Sequence, residues 1–252
     1  MSDLTRAERA ETAHLALYAV EAGEVGRFGE VRAVYAGSGD LPVNVASGFG
    51  SGPSSVDALE GIEEFYAGHG LPPRVVLYSH AHPALLAALA ERGYALQRLL
   101  HVHALRLDEP PFPSPGPTSP PPVRPATPAE FRATASAAFG PGSEAIMGLT
   151  SRRPGTGLWV CELGGRAVAA GAISVLGGVA VLFSAATLSS FRERGAQTAL
   201  LAARLGAARK VGAELAAVLT TPGSPSERNV ARAGFRQVGT RLSFGQSETE
   251  RR

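Results

Sequence analysis

Little in this chain can cross-link it. Of 252 residues one is cysteine, Cys161, so no internal disulfide forms and no cysteine-rich zinc site can be built. Lysine is as scarce: Lys210 stands alone against 23 arginines. Those arginines make no basic run interleaved with aromatics, which argues against a nucleic-acid surface. No histidine follows His103. The net charge of +2 is also small, but it sums two unlike parts. Residues 1–107 hold 8 Arg against 12 Asp and Glu, a net of −4, and residues 108–252 hold 16 Arg and Lys against 10, a net of +6.

Met1–Arg9 is polar and charged, and no apolar stretch with a small-residue cleavage site follows, so no signal peptide is expected and a cytoplasmic location is. The longest uncharged run, 25 residues from Ala167 to Phe191, is long enough to span a bilayer. Gly177-Gly178 interrupts it, and Ser174, Ser184, Thr187, Ser189 and Ser190 are spread through it. It reads as a β-hairpin, with no membrane contact.

What is present points to two modest domains: 44% of the residues are hydrophobic, enough for a real core. Residues 108–125, DEPPFPSPGPTSPPPVRP, carry 9 of the 19 prolines and read as a semi-rigid linker. The expected domains are therefore 1–107 and 126–252. In the first, apolar spacing predicts a helix from Leu4 to Glu21, strands at Phe28–Tyr35 and Leu41–Ala46, and a helix Val56–Gly68. Strand Arg74–Tyr78, helix Pro83–Arg92 and strand Leu96–Leu107 follow. After the linker come strand Val123–Ala126 and a helix opened by Thr127-Pro128-Ala129-Glu130, a capping-box pattern. Strands Leu158–Leu163, Ala167–Leu176 and Val179–Thr187 are next, then helix Gly195–Val211. Strand Leu215–Thr221, a helix near Ser226–Ala233 and strand Arg236–Phe244 complete the chain. The order helix, strand, helix, Gly-aromatic, strand occurs twice, ending at Gly93-Tyr94 and at Gly234-Phe235, which suggests an internal duplication. The expected fold class is α/β (α+β).

The segment VAVLFSAATLSSFRERGAQTALLAARL, 179–205, is the richest in chemistry. An apolar strand runs through a polar loop into a helix opened by Arg192-Glu193-Arg194-Gly195. Unpaired amides at a helix start and the helix dipole favour an anion. Gly195 allows close backbone approach, and Arg192 and Arg194 add charge. Taken alone, the same pattern is also that of an ordinary solvated helix start.

This segment resembles motif A of the GNAT superfamily of acyl-CoA-dependent N-acyltransferases, Arg/Gln-x-x-Gly-x-Gly/Ala, at Arg192, Gly195 and Gln197. Gln197 departs from the pattern, which has a small residue there. The resemblance extends from about Val123 to Phe244. Residues 1–107 resemble the divergent N-terminal half of tandem GNAT proteins and lack the Arg-x-x-Gly loop. It implies two GNAT-like domains, each a mixed, largely antiparallel sheet flanked by helices, the first a non-catalytic copy that shapes the substrate cleft. It also implies that the amides of Arg192, Glu193, Arg194, Gly195, Ala196, Gln197 and Thr198 bind the pyrophosphate of acetyl-CoA. The strand end at Ala185, Ala186 and Thr187 would splay from its neighbour and pair with pantetheine. An amide near Thr187 would polarise the thioester, and an amine acceptor would attack directly. The family's usual acid, a Tyr before the Gly-Phe corner, falls at Val230; Ser226 and Asn229 are the substitute candidates, with Asn229 also touching the cofactor. The alternative is a degenerate CoA-binding or sensing module.

Other chemistry-bearing residues have plainer readings. Cys161 on a strand reads as core. Glu162 is a general-base candidate, or else a solvated strand end beside Gly164-Gly165, the reading favoured here. His80/His82 and His101/His103 could each clamp a metal from one strand face, but no third ligand is evident, so no metal is expected. Homodimerisation is left open.

Overall fold

The computed structural model describes residues 1–39, 41–52, 56–108 and 120–246. Most of the proline-dense linker, 109–119, lies outside the described residues. The chain divides into two compact units, one of Met1–Val102 with the chain from Val238 onward, the other of His103–Gln237.

In the first unit, α1 (Asp3–Ala16) is capped by Ser2, whose hydroxyl accepts from the Thr5 amide, and buries Leu4, Ala7, Ala10 and Leu15. The expected strand 28–35 is the second half of a hairpin, β1 (Glu24–Phe28) and β2 (Val31–Tyr35), paired Phe28↔Val31. Gly29, at φ +62, makes the turn between them. The strand expected at 41–46 is reduced to β3 (Ala46–Ser47). Buried Asn44 takes over the backbone's partners instead: its Oδ1 accepts from Ala36 N at 2.8 Å and its Nδ2 donates to Ser38 O at 2.6 Å. Then follow α2 (Ala58–Gly68), β4 (Arg74–Tyr78), α3 (Pro83–Glu91), β5 (Tyr94–Arg106), whose end from His103 belongs to the second unit, and, from the far end of the chain, β11 (Arg236–Gln246), which counts here from Val238. β3 runs parallel to β4, and β11 lies antiparallel to β4 with Leu242 opposite Leu77. Sequence order alone had grouped the last strand with 126–252; its hydrogen bonds to β4 place it in the first unit.

The second unit contains β6 (Val123–Pro125), α4 (Pro128–Phe139), α5 (Glu144–Arg152), β7 (Thr156–Leu163), β8 (Arg166–Leu176) and β9 (Val179–Thr187). It continues with α6 (Ala196–Lys210), β10 (Leu215–Thr220) and α7 (Pro225–Arg232). Its strand order is β10-β9-β8-β7-β6, antiparallel except for β9 on β10. Thr127 caps α4 by accepting from the Glu130 amide, as the capping box predicts. Helix α5 was not anticipated, because Gly148, Thr150 and Ser151 dilute its apolar period; it forms nonetheless by burying Met147 and Leu149. Both units share one local plan: three antiparallel strands, a helix, a parallel strand, a helix. Each is a mixed sheet flanked by helices. No helix among the described residues is long and apolar enough to cross a membrane.

The first unit's core joins Leu59, Ile62, Tyr66, Val75, Leu77 and Leu85. Burial is the main cause holding the phenols of Tyr66 and Tyr78 well above their ordinary value. Such a group contributes stability that is complete below the unfolded pKa, about 10, and is lost as pH rises beyond it. Chemical denaturation between pH 9 and 11 should therefore show stability falling above about pH 10, by about 1.4 kcal/mol per pH unit for each phenol. Tyr66→Phe should reduce that slope; an unchanged slope would show that other groups drive the alkaline transition.

Candidate active site

The second unit's functional geometry begins where two parallel strands part. β9 and β10 pair from Val179↔Leu215 to Leu182↔Val218, and no pair follows. β9 continues to Thr187 on β8 alone, so its other edge, from Phe183 onward, carries peptide groups without a strand partner. The register on β8 shifts on the way: Ala172 faces Phe183, but Ala170 faces Ala186. Gly171 thus lies opposite both Ser184 and Ala185, a bulge in which Ser184 takes φ +47. Ala185 is exposed, and Thr187 is buried.

Beyond Thr187 the amide of Leu188 bonds back to Val168 O at 2.9 Å, and a 3-10 turn at Ser189–Phe191 follows. Glu193 at φ +63 and Gly195 at φ +77 then turn the chain into α6. Gly195 is the N-cap and brings no side-chain oxygen, and no acidic residue stands in the first turn. The leading amides of α6 are therefore left for an outside acceptor, at the positive end of the helix dipole. Arg192 and Arg194 are exposed beside them. The guanidinium groups of Arg194 and Arg166 both lie over the Phe191 ring, 5.4 and 5.8 Å from its centre. The residue that breaks the motif has a structural role, since Gln197 Nε2 donates to Thr187 Oγ1 at 2.8 Å and ties the helix start to the end of β9.

The candidates on α7 are less well placed. Ser224 caps the helix by accepting from the Glu227 amide, while Ser226 is exposed. Asn229 Oδ1 already accepts from the Arg232 guanidinium. Val230, where the resemblance sets a tyrosine, is 5% exposed and packs in the core with Leu182 and Phe235.

Glu162 accepts from Arg124 at 2.6 Å, and Arg124 also holds Glu130. The hydrogen bond from Arg124 keeps the Glu130 carboxyl below its ordinary value. This is a surface ion-pair network, so Glu162 is a strand-end partner. Cys161 is fully buried, and desolvation raises its thiol, followed by neighbouring Glu162, which is the wrong direction for a nucleophile. The histidine pairs separate into different roles. His80 Nε2 lies 2.6 Å from Glu8 Oε2 in the first unit, and His82 Nδ1 caps α3 by accepting from Ala84 N. In the second unit His103 Nε2 lies 3.3 Å from Glu227 Oε1. Glu227 also accepts from Gly223 N at 2.6 Å. It went unnoticed in the sequence, although Ser224-Pro225-Ser226-Glu227 repeats the capping-box pattern of Thr127–Glu130.

A family model for the acetyltransferase (GNAT) family matches residues 109–235, just over half of the 252 residues. The chain belongs to that family, whose members are acetyltransferases that use acetyl-CoA as co-substrate. Among solved structures it is similar to a GCN5-related N-acetyltransferase from Kribbella flavida, at 19% identity and TM-score 0.74, covering 98% of this chain and 96% of that one. It is also similar to a tandem GNAT protein from the clavulanic acid biosynthesis pathway, at 14% identity and TM-score 0.63, covering 89% and 83%. At these identities the likeness is one of fold. A search of curated proteins gave no match.

Proposed function

We propose that the second unit transfers the acetyl group of acetyl-CoA to an amine by direct attack. The observation that carries this is the parting of β9 from β10 after Leu182 and Val218, next to a helix start with no side-chain cap. The pyrophosphate sits on the amides of Glu193–Thr198, since the expected Arg192 amide already donates to Ser189 O at 3.4 Å, and the open edge of β9 at Ala185–Thr187 takes the pantetheine amides as an added strand would. An amide near Thr187 polarises the thioester carbonyl and receives the oxyanion. The first unit, with the same order of strands and helices but no Arg-x-x-Gly loop, is a divergent copy of the second. The protein works in the cytoplasm.

Binding should raise thermal stability by mass action, by about 2.7 kcal/mol when free acetyl-CoA stands at 100 times its Kd. A melting temperature unmoved by millimolar acetyl-CoA would overturn the assignment. Two observations favour a second reading, a CoA-binding module without turnover: α7 offers no tyrosine, and Asn229 is engaged by Arg232. Thiol release measured across a panel of amines separates the two. Turnover with any of them supports the enzyme, and binding without release throughout supports the module.

A further inference from the structure

Arg204 lies in the third turn of α6, and 3% of it is exposed. Nε donates to Leu200 O and Nη1 to Ala172 O, each at 3.1 Å. Among the described residues no carboxylate pairs with it. Burial alone lowers its pKa to about 10, so the group still carries its charge at neutral pH. An unbalanced buried cation is costly, and an apolar residue of similar volume would be cheaper to enclose.

The guanidinium is seated against the bulge between β8 and β9. A Cβ on Gly171 would stand 2.9 Å from Arg204 Cζ, so only glycine leaves room for the group here. Gly171 is the β8 residue that faces Ser184 and Ala185 across the bulge, and Ala172, whose carbonyl Arg204 holds, forms the last regular pair before it. One buried positive charge is thus fixed on β8, directly across the ladder from the Ser184–Ala185 bulge of β9. Charge held in a dry, rigid site acts far more strongly than in water and needs no reorganisation during reaction.

We propose that Arg204 is a positioning residue for acyl transfer: it clamps β8 opposite the Ser184–Ala185 bulge and sets positive potential behind the amides that face the thioester. This rests on the proposed function. Its distinct claim is that Arg204 acts on the polarised carbonyl and leaves cofactor affinity alone.

The test uses the full chain with acetyl-CoA carrying carbon-13 at the acetyl carbonyl. Infrared difference spectra of the bound thioester are compared between wild type, Arg204→Met, Arg204→Lys and Gly171→Ala. In wild type the carbonyl stretch falls below that of free acetyl-CoA. In Arg204→Met it returns most of the way while the Kd stays within about threefold, and Arg204→Lys lies between. Gly171→Ala, which displaces the guanidinium but keeps its charge, also weakens the shift. With an amine that supports turnover, Arg204→Met loses roughly 10- to 100-fold in kcat, less than removal of a direct oxyanion donor, and KM for acetyl-CoA holds. An unchanged stretch in Arg204→Met that binds normally overturns the proposal and leaves the function intact. Should Arg204→Met not fold, an unchanged stretch in both Arg204→Lys and Gly171→Ala overturns it equally. Wild type that binds no acetyl-CoA overturns the function itself.

Discussion

Gly195→Asp is expected to weaken acetyl-CoA binding by at least about 100-fold while the free protein melts within a few degrees of wild type. Two opposed effects act on the free protein. Gly195 sits at φ +77, where a side chain is strained by roughly 1 kcal/mol. Against that, aspartate at a helix N-terminus caps the first turn and complements the dipole, worth about as much. In the complex nothing offsets the new carboxylate. With the pyrophosphate on the proposed amides it would face the phosphate oxygens, and like charges about 4 Å apart repel by about 4 kcal/mol near a protein surface before salt screening. Arg192→Ala would remove one exposed charge-assisted bond to the proposed pyrophosphate and should cost roughly tenfold. Titration calorimetry at two salt concentrations checks both. Wild-type affinity in Gly195→Asp would mean that the pyrophosphate lies elsewhere.

The largest stability effect is expected at Tyr66. Its ring is fully enclosed between Leu59, Ile62 and β4, and its hydroxyl accepts from Val34 N and donates to Val34 O on β2, at 3.2 and 3.1 Å. Tyr66→Ala leaves a cavity the size of an aromatic ring and should cost about 3–5 kcal/mol. Tyr66→Phe keeps the ring and strips the two bonds, for about 1–2 kcal/mol. Thermal melts should therefore show falls in the ratio of about three to one, the larger exceeding roughly 10 °C. Equal losses in the two variants would assign the stability to the hydroxyl. A negligible loss in Tyr66→Ala would mean that the first unit's core does not limit unfolding.

Much of this was legible in residue order. Pattern found α2, α4, α6 and the strands β7 to β9, because each is long and bounded by glycine or, for α4, by the Thr127 cap. Motif residues Arg192 and Gly195 pointed at the helix start that the structure leaves without a side-chain cap. The misses share a cause. Helix α5 forms by burial against α4, and β3 shrinks because Asn44 satisfies the backbone in its place, so the periodic pattern was overruled by side-chain contacts that periodicity does not carry. Gln197, conspicuous as a departure from the motif, gains its sense only from Thr187, ten residues earlier and one hydrogen bond away.

By itself, then, the sequence determined the class of fold, the repeated order of elements and the arginine-flanked, glycine-opened helix start, since each depends on spacing along the chain and on the chemistry of single residues. Its scarcities settled as much: with one cysteine no internal disulfide can form. The tertiary structure decided which strands pair, and so where they part. β11 joins β4, β9 leaves β10 after Leu182, the register of β9 on β8 slips by one residue opposite Gly171, and the missing Cβ of Gly171 leaves room for the guanidinium of Arg204. A register shift and a buried charge are products of packing in three dimensions, and no periodicity in one dimension encodes them.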